Sequence, residues 1–228
     1  RRQRQMCIRD RLVYADLGEV QRAIGYYEKY LAIAREIGDR RGESNALGNL
    51  GIAYKDLGNV RLAIKYHEQT LVIDQEIGNR RGIGKTLGNL GSAYWQLGDV
   101  QRALRYYEQQ LAITCKIGDR RGEGMALSGL GLVYADLGNA QRAIKYHEQH
   151  LTIAREVEDR HEEGAALGNL GSAYWQLEDA RHAIEYYEQQ LLITCEIEDQ
   201  RGKGIVLGNL GSCLLYTSDA ADEEDSVD

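Results

Sequence analysis

Four asparagines, Asn49, Asn89, Asn169 and Asn209, recur in this chain at intervals of 40 or 80 residues. A ladder of side-chain amides at such spacing can both donate to and accept from an extended peptide backbone, whatever the peptide's own sequence. Beside them run Arg41, Arg81, Arg121 and Arg201, which could pair with carboxylates, and Trp95 and Trp175, broad apolar surfaces of the kind enriched at binding hot spots. Each set has a structural alternative. The amides could cap backbone or stand in solvent, the arginines could pair locally with Glu43, Glu123 and Glu163, and the tryptophans could pack between repeats.

Groups suited to catalysis do not converge in the same way. His67 and His147 occupy a register that is Tyr27, Tyr107 and Tyr187 elsewhere, and so read as packing variants. His147 and His150 share a helical face at a zinc-compatible spacing, with no cysteine or carboxylate set to complete a site. Cys115 and Cys195 are equivalent residues two repeats apart, far beyond the roughly 7 Å limit for a disulfide, and are expected as buried thiols of a reducing compartment. The glycines of the "GNLG" strings fall within helical pattern and follow no strand, which excludes a phosphate-cradling loop. The expectation is therefore a chain without catalytic residues, cofactor, metal or small-molecule substrate.

What must position the amides is a repeat. Tyr14, Tyr54, Tyr94, Tyr134 and Tyr174 keep a 40-residue step, as do Ala23, Ala63, Ala103, Ala143 and Ala183. Such a period means stacked units, none of which can bury its own apolar face alone. Within one unit Leu47, Leu50, Tyr54 and Leu57 fall at three-and-four spacing, as do Ala63, Tyr66, Leu71 and Ile73 with small slips. Each unit is thus helix A, tight turn, helix B, short turn. Gly58–Asn59 and Gly78–Asn79 supply stop and N-cap, with Asp39, Asp99, Asp119, Asp159, Asp179 and Asp199 at equivalent cap positions. Gly51 and its equivalents lie inside helix A, where close approach of a neighbouring helix must offset a cost of about 1 kcal/mol.

The series Leu47, Leu50, Gly51, Tyr54, Gly58, Ala63, His67 and Leu71 resembles the tetratricopeptide repeat, and the likeness covers residues 12–212. The 40-residue unit is similar to those of the Leu-Gly-Asn-rich G-protein signalling modulators, of kinesin light chains and of bacterial signalling arrays. The resemblance implies an all-α, right-handed superhelical solenoid of antiparallel helix pairs. It also implies a concave face, lined by helix A, that holds a partner's peptide and is not catalytic. Spacing assigns to that face Arg41, Asn45, Asn49, Ile52 and Asp56; Arg81, Lys85, Asn89, Ser92 and Gln96, with Trp95 at the edge; and Arg121, Met125, Leu132 and Asp136. Further on it carries His161, Asn169, Ser172, Trp175 and Gln176, then Arg201, Asn209 and Ser212. One departure is clear: the modulators and the chaperone-binding relatives carry Asn after the helix A glycine, where this chain has Leu12, Ile52, Ser92, Leu132, Ser172 and Ser212. A clamp for a chaperone's C-terminal carboxylate is therefore not expected.

Charge narrows the partner further. Residues 1–11 hold five Arg and one Asp and residues 213–228 hold six acidic residues, leaving 23 basic against 28 acidic between them. That mixed, mildly acidic middle opposes a nucleic-acid partner, including the alternative of a helical-repeat RNA binder. No apolar run approaches the roughly 20 residues needed to cross a bilayer, so a cytoplasmic protein with a protein or peptide partner, acidic if the arginines bind it, is expected. The rival expectation is a sensor array of a larger signalling ATPase or protease.

The ends break the repeat. The DNA string CGT CGG CAG CGT CAG ATG TGT ATA AGA GAC translates as RRQRQMCIRD (1–10), and its reverse complement, shifted in frame, reads as CLLYTSDAAD (213–222). Opposite strands of one segment resembling a transposase-type sequencing adapter account for both ends, so residues 1–11 and 213–228 are expected not to be native, and both termini, residues 216–228 at the second, are expected to fray. The array itself divides into a partial unit 12–38, full units 39–78, 79–118, 119–158 and 159–198, and a partial unit 199–212.

Overall fold

The computed structural model describes the backbone of residues 2–225 and the side-chain surroundings of residues 18–216. Among them the chain is all-α, with α1 (Arg2–Glu36), α2 (Arg40–Asp56), α3 (Val60–Glu76), α4 (Arg80–Gln96) and α5 (Val100–Ile117) followed by α6 (Arg120–Asp136), α7 (Ala140–Glu156), α8 (Arg160–Gln176), α9 (Ala180–Glu196) and α10 (Gln200–Asp225). The even-numbered helices are the A helices of the repeat and α3, α5, α7 and α9 the B helices. They pack as two units, one up to Ile113 and one from Thr114.

The joints follow from cap chemistry. Asp39, Asn79 and Asp119 accept from the N–H of Gly42, Gly82 and Gly122, each closing an orphan donor of the following helix. Just before each cap the backbone enters the left-handed region. Glycine fills that position at Gly38, Gly58, Gly78, Gly98, Gly118 and Gly138, but Glu158, Glu178 and Glu198 take it at φ 55°, 59° and 57°. A side chain there costs about 1 kcal/mol. Where the cap is missing, the turn is missing: α1 runs through Gly18 and Glu19, because Glu, unlike Asn or Asp, is no N-cap residue. The partial unit expected to bend after Tyr14 is one continuous helix.

In the first unit Ile24, Leu31, Ala46, Leu47, Leu50, Ala53 and Ile73 form a buried cluster, flanked by Tyr27, Tyr54 and Tyr66. In the second, Leu151, Ala166, Leu167, Leu170 and Ile193 do the same. Truncating one such leucine costs about 2–5 kcal/mol. A tyrosine pair stacks in each full repeat, with centroids 5.4 Å apart for Tyr54–Tyr66 and 5.5 Å for Tyr134–Tyr146. The close approach expected at Gly51 is present: a Cβ there would stand 2.5 Å from the His67 ring, and one at Gly171 2.6 Å from Tyr187. Cys213 is buried at the register of Ala53 and Ala173, and Tyr216 meets Trp175 edge-on at 5.3 Å. The fraying expected of the ends otherwise falls on residues whose side chains lie outside those described.

Candidate peptide-binding face

Helices α2, α4 and α6 each turn their leucines and alanines into the repeat core, which leaves the sequence-predicted stripe facing away from it. Arg41, Asn45, Arg81, Lys85, Gln96, Arg121, Ser172, Gln176 and Arg201 are exposed, and Asn49, Asn89, Ser92, Trp95, Asn169, Trp175 and Asn209 half-buried. The structure brings only some of them together. Asn45, Asn49, Ile52, Lys85 and Asn89 line one cleft between α2, α3 and α4, with a cavity of about 80 Å³. Arg121 and Met125 line a second pocket, of about 100 Å³, between α6, α7 and α8. Arg41, Ser92, Trp95, Gln96 and the predicted residues from Asn169 onward line neither of these two.

Partners sort the stripe further. Asn45, Asn49, Asn89, Asn169 and Asn209 make no hydrogen bond within the described structure, so these amides are not occupied by capping. Ser172 is occupied: its hydroxyl lies 3.0 Å from the Gly168 carbonyl and 3.1 Å from the Tyr187 hydroxyl. Ser92 is hydrogen-bonded to Tyr107 in the same way, and burial pushes that tyrosine's pKa up to about 12. Trp175 packs against the Ala183, Tyr187, Val206 and Cys213 cluster, the packing alternative for that residue.

The arginines divide differently from the sequence expectation. Arg40, Arg120 and Arg160, not their neighbours, hold Glu43, Glu123 and Glu163, and each also reaches a carboxylate at the end of the following B helix: Glu76, Glu156 or Glu196. Arg35 adds a second bond to Glu43 at 2.8 Å, and this arginine bonding holds the Glu43 carboxyl below its ordinary range despite burial. Arg41, Arg121 and Arg201 make no ion pair among the described residues.

Two sequence expectations need correction or completion. Cys115 and Cys195 are exposed rather than buried, because their register on helix B is the one filled by Arg35, Gln75 and Arg155. His67 and His147 are buried packing residues as expected, and burial, with Lys55 and Lys85 adding for His67, pushes both down to about 4. His150, notable in the sequence for its spacing from His147, floors the second pocket. It is 1% exposed, with Nε2 3.1 Å from Glu162 and Nδ1 unpartnered.

The cleft also contains residues that sequence reasoning misses. Ser44, Thr70, Asp74 and Thr86 line it and are all buried. For Asp74 register is the one available signal, since its equivalents are Ala34, Thr114, Ala154 and Thr194.

The tetratricopeptide repeat model matches residues 12–76, 45–116 and 122–194. No curated protein matches the sequence. Among solved structures, BtubC (BKLC) from P. vanneervenii aligns with a TM-score of 0.78 at 18% identity, over 90% of this chain and 87% of that one. A Signal Transduction ATPase with Numerous Domains (STAND) protein with a tetratricopeptide repeat sensor, from Pyrococcus horikoshii, aligns at 0.73 and 25% identity, over 87% of this chain but 31% of its own. A putative kinesin light chain with nearly identical repeats, from Podosopora anserina, aligns at 0.63 and 25% identity, over 82% and 92%. No helix among the described residues is long and apolar enough to cross a membrane.

Proposed function

The chain belongs to the tetratricopeptide repeat family, and on that premise we propose that it is a non-catalytic scaffold that holds a partner protein's peptide along its helix A face. The observation that carries this is the set of unpaired amides. Asn45, Asn49 and Asn89 gather around one cleft with no intramolecular partner, and Asn169 and Asn209 are equally free. A polar group left half-buried and unpaired costs little only if water or a ligand meets it, and an extended backbone offers a donor and an acceptor at every residue. Arg41, Arg121 and Arg201 make no ion pair among the described residues, because Arg40 and Arg120 take the carboxylates beside the first two and Lys203 stands in place of a glutamate beside the third, and so they favour acidic residues in that peptide. The proposal sets the protein in the cytoplasm, with no nucleic acid or membrane as partner. It retains the adapter origin of residues 1–11 and 213–228, which resequencing the source DNA tests.

Selection of a random phage-displayed peptide library on the full chain tests the scaffold. Selected peptides should bind with measurable affinity, and Asn49→Ala and Asn89→Ala should each weaken them severalfold, as the loss of about 0.5–1.5 kcal/mol per hydrogen bond requires. Failure to select any peptide, or selected peptides indifferent to both substitutions, would refute the assignment.

The likeness to the Pyrococcus horikoshii protein favours a second reading, in which this array is the sensor of a larger signalling ATPase. An in-frame nucleotide-binding domain in the flanking DNA would establish it; more repeats ending in a stop codon would exclude it.

A further inference from the structure

The cleft between α2, α3 and α4 contains a carboxylate that the fold does not require. Asp74 is 1% exposed, and its Oδ1 accepts from the Ser44 hydroxyl at 2.7 Å and from the Asn79 amide at 2.9 Å. No cation among the described residues stands within ion-pair distance, and Oδ2 accepts no hydrogen bond. The first turn of α4 does not supply one: the N–H groups of Arg80, Gly82 and Ile83 go to the Gly78 carbonyl, the Asn79 side chain and the Asn79 carbonyl. A carboxylate this buried, met only by two neutral donors and with its second oxygen open to the cleft alone, is stabilised by a positive charge that enters there.

A second observation points the same way. Thr86, 4% exposed and lining the same cleft, makes no hydrogen bond with its hydroxyl. Thr70, also lining it, donates to the Tyr66 carbonyl, which leaves its oxygen able to accept. The cleft therefore offers a charged acceptor and two hydroxyl acceptors around a cavity of about 80 Å³. Equivalent registers do without the charge, since Ala34, Thr114, Ala154 and Thr194 stand where Asp74 does. Packing is not the reason for it.

We propose that this cleft is a specificity pocket for the ammonium group of a lysine side chain on the bound peptide. An ammonium has three donors and no acceptor, which matches what the pocket presents, and its compact head suits the cavity better than a planar guanidinium. The methylene stem passes the rim at Asn45 and Asn49, whose amides hold the peptide backbone on either side. The protein's own Lys85 lines the same rim, exposed and unpaired, and is the competitor that an incoming lysine displaces. This assignment rests on the peptide-binding proposal above.

The test extends the library selection. Peptides selected on the full chain should share a lysine at a fixed position. Replacing that lysine by norleucine should weaken binding roughly tenfold or more on the native chain, as a charge-assisted hydrogen bond of about 1.5–3 kcal/mol requires. On Asp74→Asn, which keeps an oxygen for Ser44, the same replacement should change affinity less than about twofold. Thr86→Val, a second variant that leaves the Asp74 network intact, should weaken the lysine peptide and not its norleucine form. Selected peptides without a shared lysine, with arginine in its place, or with equal norleucine penalties on native and variant chains would each overturn the pocket while leaving the peptide-binding proposal standing. Absence of any selected peptide overturns both.

Discussion

Two pockets of this molecule occupy equivalent positions two repeats apart, and their linings differ in chemistry. Ser44, Asn45, Thr70, Asp74, Asn79 and Gly82 line the first; Gly124, Met125, His150, Ala154, Asp159 and Glu162 stand at the equivalent positions and line the second. Backbone and caps are shared, so the difference lies entirely in side chains set into a fixed frame. The first is floored by a buried carboxylate and hydroxyls. The second is walled by Met125, Ile153, Ala154 and Val157 over His150, with Arg121 and the acids Asp159 and Glu162 also lining it. A repeat protein can thus vary what each unit recognises without disturbing the fold, because stability resides in the leucine and tyrosine face turned the other way.

The hardest test of that comparison is to move the charge. Ala154→Asp places a carboxylate at a 2%-exposed position with no hydroxyl at Gly124 to meet it and with Asp159 and Glu162 lining the same pocket. It should lose about 3–5 kcal/mol in a denaturant titration. Adding Gly124→Ser and Asp159→Asn, which recreate the Asp74 environment, should recover part of that loss. An unchanged midpoint for Ala154→Asp would show that the frames of the two pockets differ after all.

A second test uses the buried histidines His67 and His147, carried by the B helices α3 and α7 that also line the two pockets. His67 and His147 hold folded pKa values of about 4, below their ordinary value of 6.5, because burial disfavours the imidazolium. Between those limits the unfolded chain binds more protons, so stability is complete above about pH 6.5 and is lost as pH falls toward about 4. Each histidine contributes a loss of about 3 kcal/mol, at about 1.36 kcal/mol per pKa unit. Tyr107 and Tyr187 occupy the same register in the other repeats. His67→Tyr and His147→Tyr together should therefore flatten the melting temperature between pH 4 and 6.5; a profile as steep as that of the native chain would place the acid sensitivity elsewhere.

The smallest test concerns the joints. Glycine closes every described joint from Gly38 to Gly138, whereas Glu158, Glu178 and Glu198 close the last three against the left-handed backbone. Glu158→Gly should raise stability by about 1 kcal/mol, read as a higher midpoint at unchanged slope. Gly118→Glu should lower it by a similar amount. No change in either would mean that the glutamates are compensated by contacts of their own.

The periodic leucines, the Gly51 register and the Asn and Asp caps are legible in the chain alone, because helical spacing, close approach and N-capping are local and repeat in every copy. The amide stripe is legible for the same reason. The ion pairs fall one residue away from the stripe arginines, because Arg40 stands three residues before Glu43, a spacing that faces on a helix, whereas Arg41 stands two before it and does not; Arg40 also reaches Glu76 on the following helix. For Cys115 and Cys195 residue type misleads, whereas register places them with Arg35 and Arg155 at the surface. At Gly18 the pattern of a turn is present without its cap, and the helix continues.

By itself, then, the sequence determined the helix pairs, their joints and the face turned away from the core, because a 40-residue period and cap residues act within a few residues of chain. The tertiary structure alone decided which groups of that face meet. Ser44, Asp74 and Thr86 come from three different helices, and no spacing along the chain shows that a hydroxyl, a carboxylate and a second hydroxyl 42 residues apart from first to last line one cleft. Whether a polar group is satisfied depends on distance in space, and packing of one helix on the next sets that distance.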